Sequence, residues 1–119
     1  KLKALGREKL AAIVPATNGK VSLVKGLFEN LIDDQLQEFA GEKIAGANTV
    51  VLIANASSEH ASIVFARNES MQDIDCNRIF KQIAGADGRG GGRPHFVTGI
   101  VAKEAITRVM NAIANEVMR

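Results

Sequence analysis

The segment from Gly85 to His95 is the part of this sequence whose residue types and spacing best suit chemistry on a ligand. It reads Gly-Ala-Asp-Gly-Arg-Gly-Gly-Gly-Arg-Pro-His. Glycine loses much conformational entropy on folding, so such a concentration is costly unless backbone geometry or close approach requires it. Backbone N–H groups in a segment of this kind can converge on an anion, and Arg89 and Arg93 add guanidinium groups that suit a phosphate or a base edge. We therefore predict a binding site here.

The same segment has a simpler interpretation as a solvated loop whose glycines only turn the chain from a helix into a strand. Known nucleotide fingerprints do not match it. No Gly-Lys-Ser/Thr follows, as it would in a P-loop, and the segment is predicted to join helix to strand, whereas dinucleotide fingerprints join strand to helix. The pattern disfavours ATP and NAD, and we predict no cofactor in this domain.

Other candidates for chemistry have ordinary structural explanations. The two histidines, His60 and His95, have no partners at metal-ligand spacing, so we predict no metal site. Asp73 and Asp75 lie at a predicted helix start, where capping is a more natural role than catalysis. The Ser57-Ser58 pair before His60 fits a polar hairpin turn. We predict no catalytic residue.

The composition is that of one globular domain. Of the 119 residues, 46% are hydrophobic and 24% are charged, a balance far from that of disordered chains. The longest apolar runs, such as 50–54, are much shorter than the roughly 20 residues that span a membrane. The single Cys76 excludes an internal disulfide and suits the reducing cytoplasm. The formal net charge of +2 is too small to indicate nucleic acid by itself.

The chain divides into a short linker and one domain. Residues 1–14 place apolar side chains at loosely helical spacing, with charges between them, which indicates the end of a helix that enters from upstream. Pro15 and the turn at 17–19 end that helix. We therefore assign 1–18 to a helical linker and 19–119 to the domain.

Within the domain, strands and helices interleave without strict alternation. In chain order the pattern predicts a strand at 20–28, a helix from Asp33 or Asp34 to Lys43 or Ala45, a hairpin of 49–54 and 61–66, a helix capped by Asp73, a short strand at 96–98 and a final helix. Two helices carry one-sided apolar stripes, Cys76, Ile79, Phe80 and Ile83 in one and Ile106, Val109, Met110, Ile113 and Val117 in the other. We predict an α/β fold: a single small domain with a mixed β-sheet, packed helices and a glycine-rich loop from helix to strand.

The run Gly90-Gly91-Gly92-Arg93-Pro94, with these elements around it, is similar to the Gly-Gly-Gly-Arg-Pro segment near the end of alanyl-tRNA synthetases. The same fold occurs as the domain associated with DHH phosphoesterases, and the resemblance runs from about Gly19 to the C-terminus. DHH phosphoesterases generally have His directly after the glycine triplet, where this chain has Arg93, which favours the synthetase branch. The usual synthetase continuation after Pro is Asp, whereas this chain has His95.

The resemblance implies a non-catalytic C-terminal domain that contacts the outer corner of tRNA, tRNA(Ala) in the synthetases, and joins the aminoacylation and editing modules of a parent enzyme. With this function in view, the chemistry of the glycine-rich segment leads us to predict that nucleic acid binds to Gly88, Arg89, Gly90, Gly91, Gly92, Arg93, Pro94 and His95. A branched side chain at Gly91 is expected to weaken binding, because it disfavours positive φ and blocks close approach of the backbone.

Three further basic residues, Arg67, Arg78 and Lys81, either widen the positive surface or belong to an ordinary solvated face. Two other functions stay open. The domain would hold substrate in a DHH phosphoesterase, or it would form a homodimer through the last helix.

Overall fold

The computed structural model describes residues 16–17, 21–29, 33–56 and 59–118. The helix expected at 1–14 and the boundary at 18 and 19 lie outside the described residues. The strands are β1 (Ala16–Thr17), β2 (Ser22–Glu29), β3 (Thr49–Ala56), β4 (His60–Arg67), β5 (Gly88–Arg93) and β6 (Phe96–Ala102). The helices are α1 (Asp33–Lys43), α2 (Cys76–Ala84) and α3 (Ile106–Val117), and single 3₁₀ turns at Gly85–Asp87 and Lys103–Ala105 precede β5 and α3.

The described strands form one mixed sheet in the order β1-β2-β3-β4-β6-β5. Strands β2 and β3 pair in parallel and are connected through α1, and the other neighbours are antiparallel. The predicted α/β fold with a mixed sheet and packed helices is confirmed. Strand β5 lies at one end of this order, so one side of its backbone pairs with β6 and the other side faces away from the sheet.

The central strands are buried on both faces because their side chains alternate between two apolar layers. In β3, Val50, Leu52 and Ala54 belong to a core shared with α2 and α3. Val51 and Ile53 point the opposite way, into a core shared with Leu36 and Ala40 of α1. The sheet therefore carries α2 and α3 on one face and α1 on the other.

The one-sided stripes of α2 and α3 are confirmed. All five stripe residues of α3 are buried, and in α2 Cys76, Ile79 and Phe80 are buried while Ile83 packs at the margin of the same core. This agreement follows from the period of the helix, since residues three and four apart share one face.

The prediction that Asp73 caps α2 is wrong, because Asp75 caps it. Asp75 has extended backbone angles, and its carboxylate accepts the N–H of Arg78 at 3.0 Å. Asp73 lies within a turn closed by the hydrogen bond from the Ile74 N–H to the Met71 carbonyl, at 3.1 Å. That turn moves the helix start two residues along the chain.

Candidate nucleic-acid interface

The predicted glycine-rich loop is in fact mostly a strand. Residues 88–93 form β5 and pair one to one with β6, from Gly88 opposite Val101 to Arg93 opposite Phe96. The loop prediction was wrong because glycine has little intrinsic preference for strands, and only the neighbouring β6 supplies the hydrogen-bond partners. The segment predicted to bind nucleic acid is therefore an edge hairpin, and its eight residues, 88–95, lie together on β5 and in the turn that follows it.

Gly90 is the position in β5 where glycine is required by backbone angle. Its φ is +125°, in the region that residues with side chains rarely adopt. A Cβ atom there would lie 2.5 Å from the Gly99 Cα and 2.5 Å from the Thr98 carbonyl oxygen. The sequence predicted positive φ at Gly91, and that prediction is wrong by one residue.

Gly91 is closely packed for a different reason, the approach of two side chains of α2. A Cβ atom on Gly91 would lie 2.9 Å from Asn77 Oδ1 and 3.3 Å from Lys81 Cε. A Cβ atom on Gly88 would also meet this helix, at Ala84. Gly88 and Gly91 are three residues apart, so in a regular strand they would face opposite sides of the sheet, yet both face α2. The positive φ of Gly90, which lies between them, interrupts the regular alternation of faces.

Basic side chains flank β5 on both faces of the sheet. Arg89, opposite Ile100, is exposed and lines a groove together with residues of α1. Lys81 of α2, whose ammonium Nζ lies 3.7 Å from the Cβ position of Gly91, is exposed on the other face. Arg93 is exposed at the end of the strand. The edge of the sheet thus places bare glycine backbone between positive charges.

The turn after β5 is held from two directions. The Pro94 carbonyl accepts the N–H of Cys76 at 2.8 Å, and the His95 carbonyl accepts the N–H of Arg67 at 2.9 Å. Pro94 is exposed and His95 is half-buried. The turn is therefore attached to the first residue of α2 and the last residue of β4, which positions Arg93 beside the helix start.

Arg67 does not contribute to a positive surface. Its side chain is buried, and its guanidinium group donates to the backbone carbonyls of Ile74, Asn68 and Glu69, the Asn68 bond measuring 3.0 Å. Burial of a charged group is tolerated when it is hydrogen-bonded, and here Nε and Nη1 of the guanidinium make the bonds. Arg67 organises the segment between β4 and α2, whereas Arg78 and Lys81 are exposed on α2.

The sequence indicated Lys81 only as part of a wider positive surface or a solvated face, and it gave no sign of Asn77 beside β5. These two residues are four apart on α2, the spacing that puts side chains on one helix face. The sequence could therefore predict that they share a helix face. It could not predict that they cover β5, because the residues of β5 do not identify it as a strand.

Cys76 is buried, as the stripe on α2 predicted. Desolvation by burial raises the pKa of its thiol from 9.0 to about 12, against a smaller lowering by the nearby Arg67 charge. The thiol is therefore neutral near pH 7, and a neutral thiol is a poor nucleophile and metal ligand.

In the part of the chain that the structure describes, no cluster of three or more His, Cys, Asp or Glu side chains is arranged to hold a metal ion. No helix among the described residues is long and apolar enough to cross a membrane.

No family model matches this chain, and no curated protein matches its sequence. Among solved structures, the chain is similar to the C-Ala domain of alanyl-tRNA synthetase from Aquifex aeolicus. That superposition has a TM-score of 0.71 at 19% sequence identity, and it covers 85% of this chain and 98% of the C-Ala domain.

Two further solved structures are also similar. One is the DHH domain of a member of a ribosomal protein family, with a TM-score of 0.58 at 17% identity, covering 98% of this chain and 30% of that one. The other is a pGpG-specific phosphodiesterase from Vibrio cholerae, with a TM-score of 0.57 at 13% identity, covering 98% of this chain and 38% of that one. At these identities the likeness establishes a shared fold, the one that the glycine motif had suggested.

Proposed function

We propose that this domain binds tRNA through the outer edge of β5 as a non-catalytic accessory module of an alanyl-tRNA synthetase. The observation that carries the proposal is the geometry of that edge. Glycine backbone lies between Arg89 on one face of the sheet and Lys81 on the other, with Arg93 at the end of the strand. The match to nearly all of a synthetase C-Ala domain supports the same function.

The edge suits a phosphate chain for physical reasons. On an edge strand, alternate residues direct N–H and C=O groups away from the sheet, and here no side chain at 90, 91 or 92 covers them. Phosphate oxygens accept hydrogen bonds from backbone N–H groups and from arginine and lysine. Cations on both faces would hold a polyanion along the edge instead of on either flat face. In a parent enzyme, such a grip would keep one tRNA available for aminoacylation and editing, and tRNA(Ala) is the expected ligand.

The first test is a titration of labelled tRNA with the 119-residue chain at several salt concentrations. The Arg89→Ala/Arg93→Ala variant removes two charges from the proposed site. Each lost phosphate contact is expected to reduce the slope of log affinity against log salt by roughly 0.7 to 0.9. Because both side chains are exposed, the stability to urea should change by less than about 0.5 kcal/mol.

The matched control is Lys25→Ala/Lys43→Ala, which removes the same charge far from β5. Lys25 lies on β2, towards the other end of the sheet, and Lys43 ends α1. The control should keep the parent salt slope apart from a small long-range effect. If both double variants lower the slope equally, binding reflects net charge alone, and if neither does, the β5 edge is not the RNA site.

A second candidate is the substrate-holding domain of a DHH phosphoesterase, because the DHH domain and the pGpG-specific phosphodiesterase each align with 98% of this chain. In that function the edge would hold the phosphate of a short nucleotide. Binding of a dinucleotide such as pGpG that weakens in the Arg89→Ala variant, without measurable affinity for tRNA, would favour this candidate.

A further inference from the structure

A groove on the α1 face of the sheet lies beside the proposed RNA edge. Helix α1 packs over β3 and β4. Beyond it, a groove of about 320 Å³ is lined by residues of α1, β4, β5 and β6. Its apolar lining includes Leu36, Val64 and Ile100. Strand β6 is internal to the sheet, yet Ile100 is 47% exposed, so an apolar surface is open to solvent where internal strands are normally covered.

The polar side chains around this groove are of three kinds. Gln37 of α1 offers an amide with both donor and acceptor groups, Thr98 of β6 offers a hydroxyl, and Arg89 of β5 offers a guanidinium. An amide and a hydroxyl can pair with the edge of a nucleobase, and a guanidinium can pair with a phosphate. An apolar floor with these groups at its margin suits a flat ring that carries an anionic substituent.

We propose that the groove holds one unpaired base of the bound RNA, with its face on Ile100 and its phosphate at Arg89. This inference rests on the proposed function for the identity of the ligand as RNA. Arg89 borders both the β5 edge and the groove. An RNA strand bound along that edge can therefore turn one base into the groove while its phosphate stays at Arg89. A groove of this volume is at the small end for ligand pockets, which suits one nucleoside and excludes a base pair.

No aromatic residue is among the groove's described lining. Stacking on Ile100 is therefore weaker than on an aromatic ring, and the contribution of the base should be modest. The groove consequently adds affinity for single-stranded segments and loops of RNA. This contribution to the affinity depends little on salt, because the base ring carries no charge.

The test uses Ile100→Ser with Leu27→Ser as its matched control. Leu27 is 46% exposed, almost as much as Ile100, but it lies on β2, separated from β6 by β3 and β4. Both changes remove an exposed apolar side chain and no charge. Fluorescence titration of tRNA and of a short single-stranded RNA should show about fivefold to tenfold weaker binding for Ile100→Ser. The salt slope should stay that of the parent, and Leu27→Ser should bind as the parent does.

The outcomes separate this inference from the proposed function. If Arg89→Ala/Arg93→Ala lowers the salt slope while Ile100→Ser binds like the parent, the groove proposal fails and the edge proposal stands. If Ile100→Ser changes the mass measured by light scattering without changing RNA binding, the groove is a protein interface and the proposal is overturned. Urea unfolding of both serine variants checks that lost affinity does not come from lost structure.

Discussion

The hairpin β3–β4 and the hairpin β5–β6 are both antiparallel, yet different interactions stabilise them. In β3, every residue from Val50 to Ala54 is fully buried, because branched and small apolar side chains fill the layers above and below the sheet. In β5, the positions from Gly90 to Gly92 have no side chains to bury, and the strand is held by close approach to β6 and to α2. The first arrangement maximises buried apolar area, and the second leaves backbone and charge accessible at an edge.

The arginines of the two hairpins show the same contrast. Arg67 ends β4 with its guanidinium group buried on three backbone carbonyls, while Arg89 in β5 is exposed beside a groove. A buried guanidinium that donates to backbone carbonyls organises the chain around it, whereas an exposed one remains available to a ligand. Residue type alone therefore does not identify a binding arginine, since burial decides its role.

The largest effect is expected from truncating the core of the first hairpin. Phe65→Ala in β4 removes a fully buried ring and should lower the free energy of unfolding by about 3 to 5 kcal/mol. The same substitution in the second hairpin, Phe96→Ala, removes a half-buried ring and should cost less than half as much. Urea denaturation of both variants measures the difference. Equal losses would contradict the view that apolar burial is concentrated in β3–β4.

An intermediate effect is expected where β5 depends on backbone geometry. Gly90→Ala places a Cβ at φ +125° and 2.5 Å from β6, so the free energy of unfolding should fall by roughly 1 to 3 kcal/mol, and RNA affinity should fall with it. Gly41→Ala in α1 is the control, because its Cβ meets nothing within 4 Å. That change should stabilise the protein by roughly 0.5 to 1 kcal/mol, since alanine favours a helix interior. A Gly90→Ala variant that is as stable as the parent would show that β5 can adopt a different backbone conformation at residue 90 without loss of stability.

The smallest effect concerns Cys76, whose N–H bonds to the turn of the second hairpin. Burial raises the pKa of the folded thiol from 9.0 to about 12. Above pH 9 the unfolded thiol therefore loses its proton while the folded thiol keeps it, so stability from this group is full below pH 9 and falls between pH 9 and about pH 12. The loss at pH 10 is about 1 kcal/mol.

Comparing the parent with Cys76→Ala in urea at about pH 8 and pH 10 isolates this contribution. The parent should lose more stability than the variant over that interval, because alanine does not titrate. An identical change in both proteins would mean that the folded thiol ionises as readily as the unfolded one. Because Cys76 is buried, its thiol is also expected to react slowly with a thiol reagent in the native protein.

Much of the fold was readable from the sequence where a local period carries the information. The stripes of α2 and α3 and the apolar runs of the β3–β4 hairpin were recognisable, because side-chain periods of 3.6 and 2 residues reveal which face is buried. The observed strands extend the predicted 49–54 and 61–66 to Thr49–Ala56 and His60–Arg67. The glycine motif also indicated the segment from which the candidate interface is built.

Tertiary structure alone decided the features that depend on distant partners. Residues 88–93 are a strand because β6 lies beside them, and Arg67 is buried because three carbonyls converge on it. The positive φ lies at Gly90, where the backbone approaches Thr98 and Gly99 of β6 closely, and no local pattern encodes that approach. By itself, the sequence determined which segments bury apolar faces, since that depends on neighbours along the chain. Contacts between segments far apart in sequence determined which backbone and which charges stay exposed.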